Sequence, residues 1–165
     1  MLFSSYLEKR LTEQDFNTFT VQEKNALIAE LASKANIAFT EVTPEFILNH
    51  HKQLKVSLLS EKCEETILKG FVSTTTGHHY RTNRDDQVYF IGRYIQLLQN
   101  PQIDTVMWRA EDLGVWVPHS RDEWMSVYNE AMDHVESTLI KYNQKKQLVL
   151  SAETHADVLN ITWDN

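Results

Sequence analysis

Four glycines, three prolines and one cysteine in 165 residues leave little room for chemistry that depends on a special backbone. Phosphate-cradling loops and dinucleotide fingerprints need two or three glycines within a short span, and no such cluster occurs. The Gly-x-Ser-x-Gly elbow of a serine hydrolase is absent as well. The lone Cys63 excludes an intrachain disulfide framework and suits a reducing cytoplasm. No apolar run approaches the ~18 residues of a membrane span. The first ten residues have neither the basic lead nor the apolar centre of a signal peptide, so neither a bilayer nor export is expected. Charge of one sign is never concentrated. Sixteen Lys and Arg are interspersed with 23 Asp and Glu, for a net charge of −7. Such a chain has no phosphate-tracking surface, and nucleic acid is not an expected partner.

The sequence does hold enough apolar residues, 42%, to build a core. Its Trp, Tyr and Phe are spread along the whole length, which argues for a folded chain. The periodicities predict a predominantly helical α+β protein with long helices, two short β-hairpins and a helical preface at residues 1–43, ahead of a main domain at 44–165. In the preface, Thr12 can cap a turn reaching Phe16. Thr20 and Glu23 fit a reciprocal capping box for a helix to about Lys34, with Leu27, Ile28, Leu31 and Ala35 on one face. An extended link over Ile37, Phe39 and Val42 leads to Thr43-Pro44, with Pro at a first helical position. One helix then runs from Glu45 to Lys69, with Gly70 as its cap. Its apolar residues fall into two stripes, Phe46, Ile47, Leu54 and Leu58, then Val56, Leu59, Cys63 and Ile67.

Two β-prone runs, Phe71 to Thr76 and His78 to Thr82, flank Gly77 and predict a hairpin that feeds a helix capped by Asn83. That helix has Val88, Ile91, Ile95 and Leu98 on one side and Phe90, Tyr94 and Leu97 on the other. Apolar on both sides, it is expected to be buried centrally, with a neighbouring backbone close to Gly92. A second hairpin joins Val106–Arg109 to Val115–Val117 and is expected to end at Pro118, with Trp108 and Trp116 paired across it. Ser120 and Glu123 cap a long helix whose stripe is Trp124, Val127, Tyr128, Ala131, Val135, Leu139 and Tyr142. Thr154 and Asp157 open a terminal turn of helix, and Ile161 and Trp163 form an apolar hook.

Candidate reactive groups read more simply as structure. His78 and His79 lie near Asp85 and Asp86, but neighbours on a strand point to opposite faces, so no metal site is expected. His50 and His51 diverge by about 100° on a helix and read as solvated or capping histidines. Cys63 reads as a buried thiol. Asp85 and Asp86 are what a helix N-terminus attracts. No catalytic residue and no cofactor is expected. Trp108 and Trp116 are the candidate anchors for a partner, and Trp124 is a core residue.

Gly70, Phe71, Ser73, Gly77, Tyr80, Asp86 and Gln87, followed far downstream by Thr154, Ile161 and Trp163, resemble a small domain of undefined function that recurs in or beside the tail-fibre genes of tailed bacteriophages and prophages. The resemblance spans roughly His50 to Trp163. Ser73, Tyr80 and Gln87 are expected to tie the hairpin to the start of the next helix by hydrogen bonds, a structural signature without chemistry. The resemblance implies a phage-tail context. It points first to a non-catalytic tail-fibre assembly chaperone and alternatively to a structural virion component, a baseplate or fibre-attachment adaptor. The implied partner is a fibre or baseplate protein, with self-association compatible with either reading. The implied location is the host cytoplasm during phage assembly, with retention in the virion tail under the second reading.

Overall fold

The computed structural model describes residues 3–164. Among them are six α-helices and two antiparallel strand pairs, a predominantly helical α+β fold. The chain forms two compact units, Met1–Lys62 with Tyr142–Asn165, and Cys63–Lys141. The boundary expected after residue 43 thus lies inside the first unit. Ile47 and Leu54 share one buried cluster with Leu11, Leu27, Leu31 and Val42, so the core built on residues 1–43 continues past that boundary.

In the first unit, α1 (Tyr6–Glu13) is capped by Ser5, whose Oγ accepts the Glu8 N–H. This helix stands where a turn capped by Thr12 was expected. Thr12 is inside it, and its hydroxyl donates to Lys9 O at 2.7 Å. The Thr20–Glu23 box opens α2 (Val21–Ala35) as its spacing predicts. Ala32, not Ala35, joins the buried face of Leu27 and Leu31. The expected extended link contains a 3-10 turn, Phe39–Glu41, before Pro44 starts α3 (Pro44–Lys69). At the other end, the Thr154–Asp157 box opens α6 (His155–Asn160), and Ile161 and Trp163 pack against the cluster of Leu59, Val149 and Val158.

This unit also buries charge that the sequence pattern does not announce. Glu8 is almost fully buried, yet its carboxylate pairs with Lys34 and accepts from the Ser4 N–H and hydroxyl, with the His50 ring at 2.9 Å. Burial would raise its pKa, but the Lys34 ammonium and the Ser4 donors prevail and hold it at about 2. His51, expected to be solvated or capping, is fully buried. Its Nδ1 lies 2.9 Å from Nδ1 of His155, and the two rings are stacked.

In the second unit, Gly70 (φ 74°) ends α3 and turns the chain into β1 (Phe71–Val72), which pairs with β2 (His79–Tyr80). Both strands are much shorter than the β-prone runs, because the threonines between them form a turn held by side chains. Ser73 Oγ accepts the Thr75 and Thr76 N–H groups. Glu130 accepts from the Thr75 N–H and from the hydroxyls of Thr74 and Thr75.

Asn83 caps α4 (Arg84–Gln99) through the Asp86 N–H. Then β3 (Thr105–Ala110) pairs with β4 (Val115–Ser120), and α5 (Arg121–Ser151) follows from a Ser120–Glu123 cap. Pro118 does not end β4. A strand paired on one side only has an edge where a missing N–H costs no ladder bond. Trp124, Val127 and Ala131 enter the core with Phe90, Leu97, Val106 and Tyr80. Farther along α5, Thr138 is buried, and Leu139, expected in that stripe, is exposed.

Candidate functional site

The cluster of polar residues around the first hairpin serves to fasten it. His119 donates from Nδ1 to Val117 O at 2.9 Å, which leaves Nε2 as the acceptor for the Tyr80 hydroxyl at 2.7 Å. Thr76 in turn donates to the Tyr80 oxygen at 3.0 Å. Gln87 reaches back from α4 to Thr82 O at 2.7 Å. Of the three residues expected to tie the hairpin to the next helix, only Gln87 does so; Ser73 closes the turn within the hairpin, and Tyr80 fastens the hairpin to β4. Phe71 lies against Tyr80 and His134, and Gly77 (φ 74°) sits at the turn.

His78 and His79 point apart and do different work. His78 Nδ1 pairs with Asp112 at 3.0 Å, while His79 Nε2 donates to Lys69 O at 2.6 Å at the end of α3. Asp85 and Asp86 lie in the first turn of α4, and His78 takes Asp112 as its carboxylate instead. Cys63 is buried with Sγ 3.8 Å from Thr138 O, and burial pushes its thiol pKa up, as expected of an unreactive position.

The feature shaped to receive something is a groove of about 670 Å³ along α4 and the second hairpin. Its walls include Val88, Tyr89, Gly92, Trp108 and Trp116. The strand register sets the two tryptophans apart. Trp108 is opposite Val117 and Trp116 opposite Arg109, so successive parity puts the two indoles on opposite faces of the pair. They do not stack on each other as expected. Trp108 turns inward, 4.6 Å from the Phe90 ring and 5.3 Å from Trp124, and shows only part of its indole to the groove. Trp116 remains 60% exposed and Tyr89 68% exposed.

The expected central burial of α4 does not occur. Phe90 and Leu97 are covered, whereas Val88, Ile91, Ile95 and Leu98 face outward. Gly92 has no neighbour within 4 Å of a built Cβ, so no backbone of this chain approaches it. Alanine there should gain helix propensity at no steric cost. Gly92→Ala is expected to stabilise the chain by about 0.5–1 kcal/mol, read as a raised urea midpoint.

Ionisable groups at the groove neutralise one another. Arg81 Nε lies 3.4 Å from both Asp86 and Glu111, and Arg109 Nε is 3.0 Å from Glu111. Burial raises the Asp86 pKa, with Arg81 opposing, and Oδ2 of Asp86 accepts no hydrogen bond. No group of three or more His, Cys, Asp or Glu side chains placed to hold a metal ion occurs among the described residues. No helix there is long and apolar enough to cross a membrane. Chemically the groove offers two exposed aromatic rings and paired charges along one wall.

A family model described as a domain of unknown function, DUF4376, matches residues 50–162, more than half of the chain. The chain belongs to this family. Comparison with curated proteins and with solved structures gives no match. The DUF4376 match takes in the whole second unit, and with it the hairpin motif from Gly70 to Gln87 and every residue lining the groove. Trp163 lies one residue beyond it. Exposure on α4 was not legible from its periodicity, which is equally apolar on two sides. The Glu8 and His51 sites are assembled from distant segments and give no local signal.

Proposed function

We propose that this DUF4376 protein is a non-catalytic binding protein of a phage tail, acting as a tail-fibre assembly chaperone, and that the groove holds the fibre chain. The observation that carries this reading is the groove's composition. Exposed Tyr89 and Trp116 stand beside a short strand pair, and aromatic anchors of this kind dominate interface energetics. An extended segment laid there can pack side chains on the two rings. The mutual pairing of Arg81, Asp86, Arg109 and Glu111 supports binding over acid–base chemistry, since it leaves no poised proton donor or acceptor. The adaptor alternative leaned on a separable N-terminal segment, and the core shared by Leu11, Leu27 and Ile47 weakens that support.

Co-expression with the adjacent fibre protein tests the reading. Wild-type chain should raise the yield of soluble, trimeric fibre and be absent from purified particles. A fibre that is soluble and trimeric without it would sink the chaperone role, and fixed stoichiometry in the particle would assign the adaptor role. The tryptophans should separate binding from folding. Trp116→Ala should weaken fibre capture by about 10–100-fold while changing unfolding free energy by less than about 0.5 kcal/mol. Trp108→Ala should instead cost about 3 kcal/mol of stability, because it removes a ring packed on Phe90 and Trp124. Equal stability losses for the two would contradict this division.

A further inference from the structure

We infer that the groove along α4 recognises an acidic side chain on its occupant, with Arg93 taking the carboxylate while Tyr89 and Trp116 take neighbouring apolar groups. This rests on the reading of the groove as a site for an extended chain, and adds the chemistry of the segment it accepts. Three arginines, Arg81, Arg93 and Arg109, line the groove against two carboxylates, Asp86 and Glu111. Both carboxylates are already taken. Arg81 lies 3.4 Å from each, and Arg109 lies 3.0 Å from Glu111. Arg93 has no carboxylate within ion-pair distance among the described residues, and its Nη1 donates to Oε1 of Gln96 at 2.7 Å. A guanidinium carries five N–H donors in a planar fork, so one neutral acceptor leaves most of its capacity unused. Yet the side chain is half-buried in the wall of the groove, where an arginine is ordinarily paired.

The placement suits an anion. Arg93 follows Asp86 by two turns on the same side of α4, so about 10 Å of helix axis separates it from that carboxylate. Exposed charges are largely screened beyond about 8 Å at physiological ionic strength, so Asp86 does little to repel an anion held at Arg93. Tyr89 lies between them, one turn before Arg93, and sets an apolar contact beside the fork. A carboxylate is the acceptor whose geometry the fork matches, with two parallel N–H donations. A chain of net charge −7 repels acids in general, so an acid that binds does so at this local excess of positive charge.

Titration of the full chain with two blocked tripeptides, acetyl-Phe-Gly-Asp-amide and acetyl-Phe-Gly-Asn-amide, tests this, with NMR shifts of the Trp116 indole N–H as the readout. The peptides differ in one carboxylate, and the acidic one should bind about 10-fold more tightly. Arg93→Gln should abolish that preference and leave the weaker binding of the Asn peptide in place. Gln96→Glu should abolish it as well with Arg93 intact, because a carboxylate three residues along the helix would occupy the fork. If Arg93→Gln fails to fold, Gln96→Glu decides the matter. Equal affinity for the two peptides, no shift with the acidic one, or a preference that survives either folded variant overturns the inference. So does tighter binding of the free acid acetyl-Phe-Gly-Gly than of the Asp peptide, which would assign a chain end instead of a side chain. The peptide preference needs no fibre protein. A fibre captured equally by wild type and Arg93→Gln would therefore sink this inference alone, whereas a preference for the acidic peptide without fibre capture would sink the proposed function alone.

Discussion

Gly70→Ala is expected to destabilise the protein by about 4 kcal/mol or more, among the largest effects available to a single methyl group. Gly70 sits at φ 74°, where a side chain costs roughly 1–2 kcal/mol by itself. The larger part comes from what the methyl would meet. A Cβ built there falls 2.0 Å from Tyr80 O and 2.9 Å from Arg81 Cα. Both are backbone atoms, at the end of the paired strand and just beyond it, so no rotamer change relieves the clash. Relief means lifting β2 from β1, and Tyr80 is fully buried and hydrogen-bonded to His119. Total stabilities of about 5–15 kcal/mol make such a loss easy to read by urea denaturation. Gly77→Ala supplies the control. It has the same φ, 74°, but nothing within 4 Å of its Cβ, so it should show only the conformational part. Similar losses at the two positions would mean that the close approach at Gly70 yields readily and the argument fails.

Acidification should weaken the fold well before carboxylates titrate, through the His51–His155 pair. His51 is fully buried. Burial first, then the charges of His155, Lys55 and His50, push its pKa down to about 3, with only Asp15 acting the other way. His155 is lowered as well, again by burial and against Asp15. The Phe16 ring, 5.1 Å from His155, closes another side with an apolar surface. One proton lies between the two Nδ1 atoms, and a second would convert a hydrogen bond into a repulsion.

The sign follows from the ordinary histidine pKa of 6.5. As pH falls through that value, the unfolded chain takes up a proton that folded His51 refuses until about pH 3. Stability is therefore fully present above 6.5 and declines between 6.5 and 3, at about 1.4 kcal/mol per pH unit for one proton. By pH 5 the loss from His51 alone should be about 2 kcal/mol. Unfolding free energies at pH 7.5, 6 and 5 would show it, and His51→Leu should flatten the slope by about one proton. An unchanged slope in that variant would assign the acid sensitivity elsewhere.

Features legible in the sequence are those written within a few residues. The Thr20–Glu23, Ser120–Glu123 and Thr154–Asp157 caps form as their spacing requires, because cap and partner are three residues apart and their geometry is local. Gly70 and Gly77 were equally readable, since a hairpin joined directly to a helix needs residues that take positive φ. So was the bond by which Gln87 ties α4 back to the hairpin, whereas Tyr80 finds its partner, His119, 39 residues away.

Tertiary structure decided the rest. Helix α4 has two apolar sides, and periodicity cannot rank them. Packing of Phe90 and Leu97 against Trp108 and Trp124 covered one and left Val88, Ile91, Ile95 and Leu98 outside. Trp108 and Trp116 look alike in sequence, and only the register of β3 on β4 sent one into the core and the other to the surface. Likewise, 104 residues separate His51 from His155, and 42 separate Glu8 from His50. Burying such groups is favourable only once a distant segment supplies the partner, so no local pattern announces them.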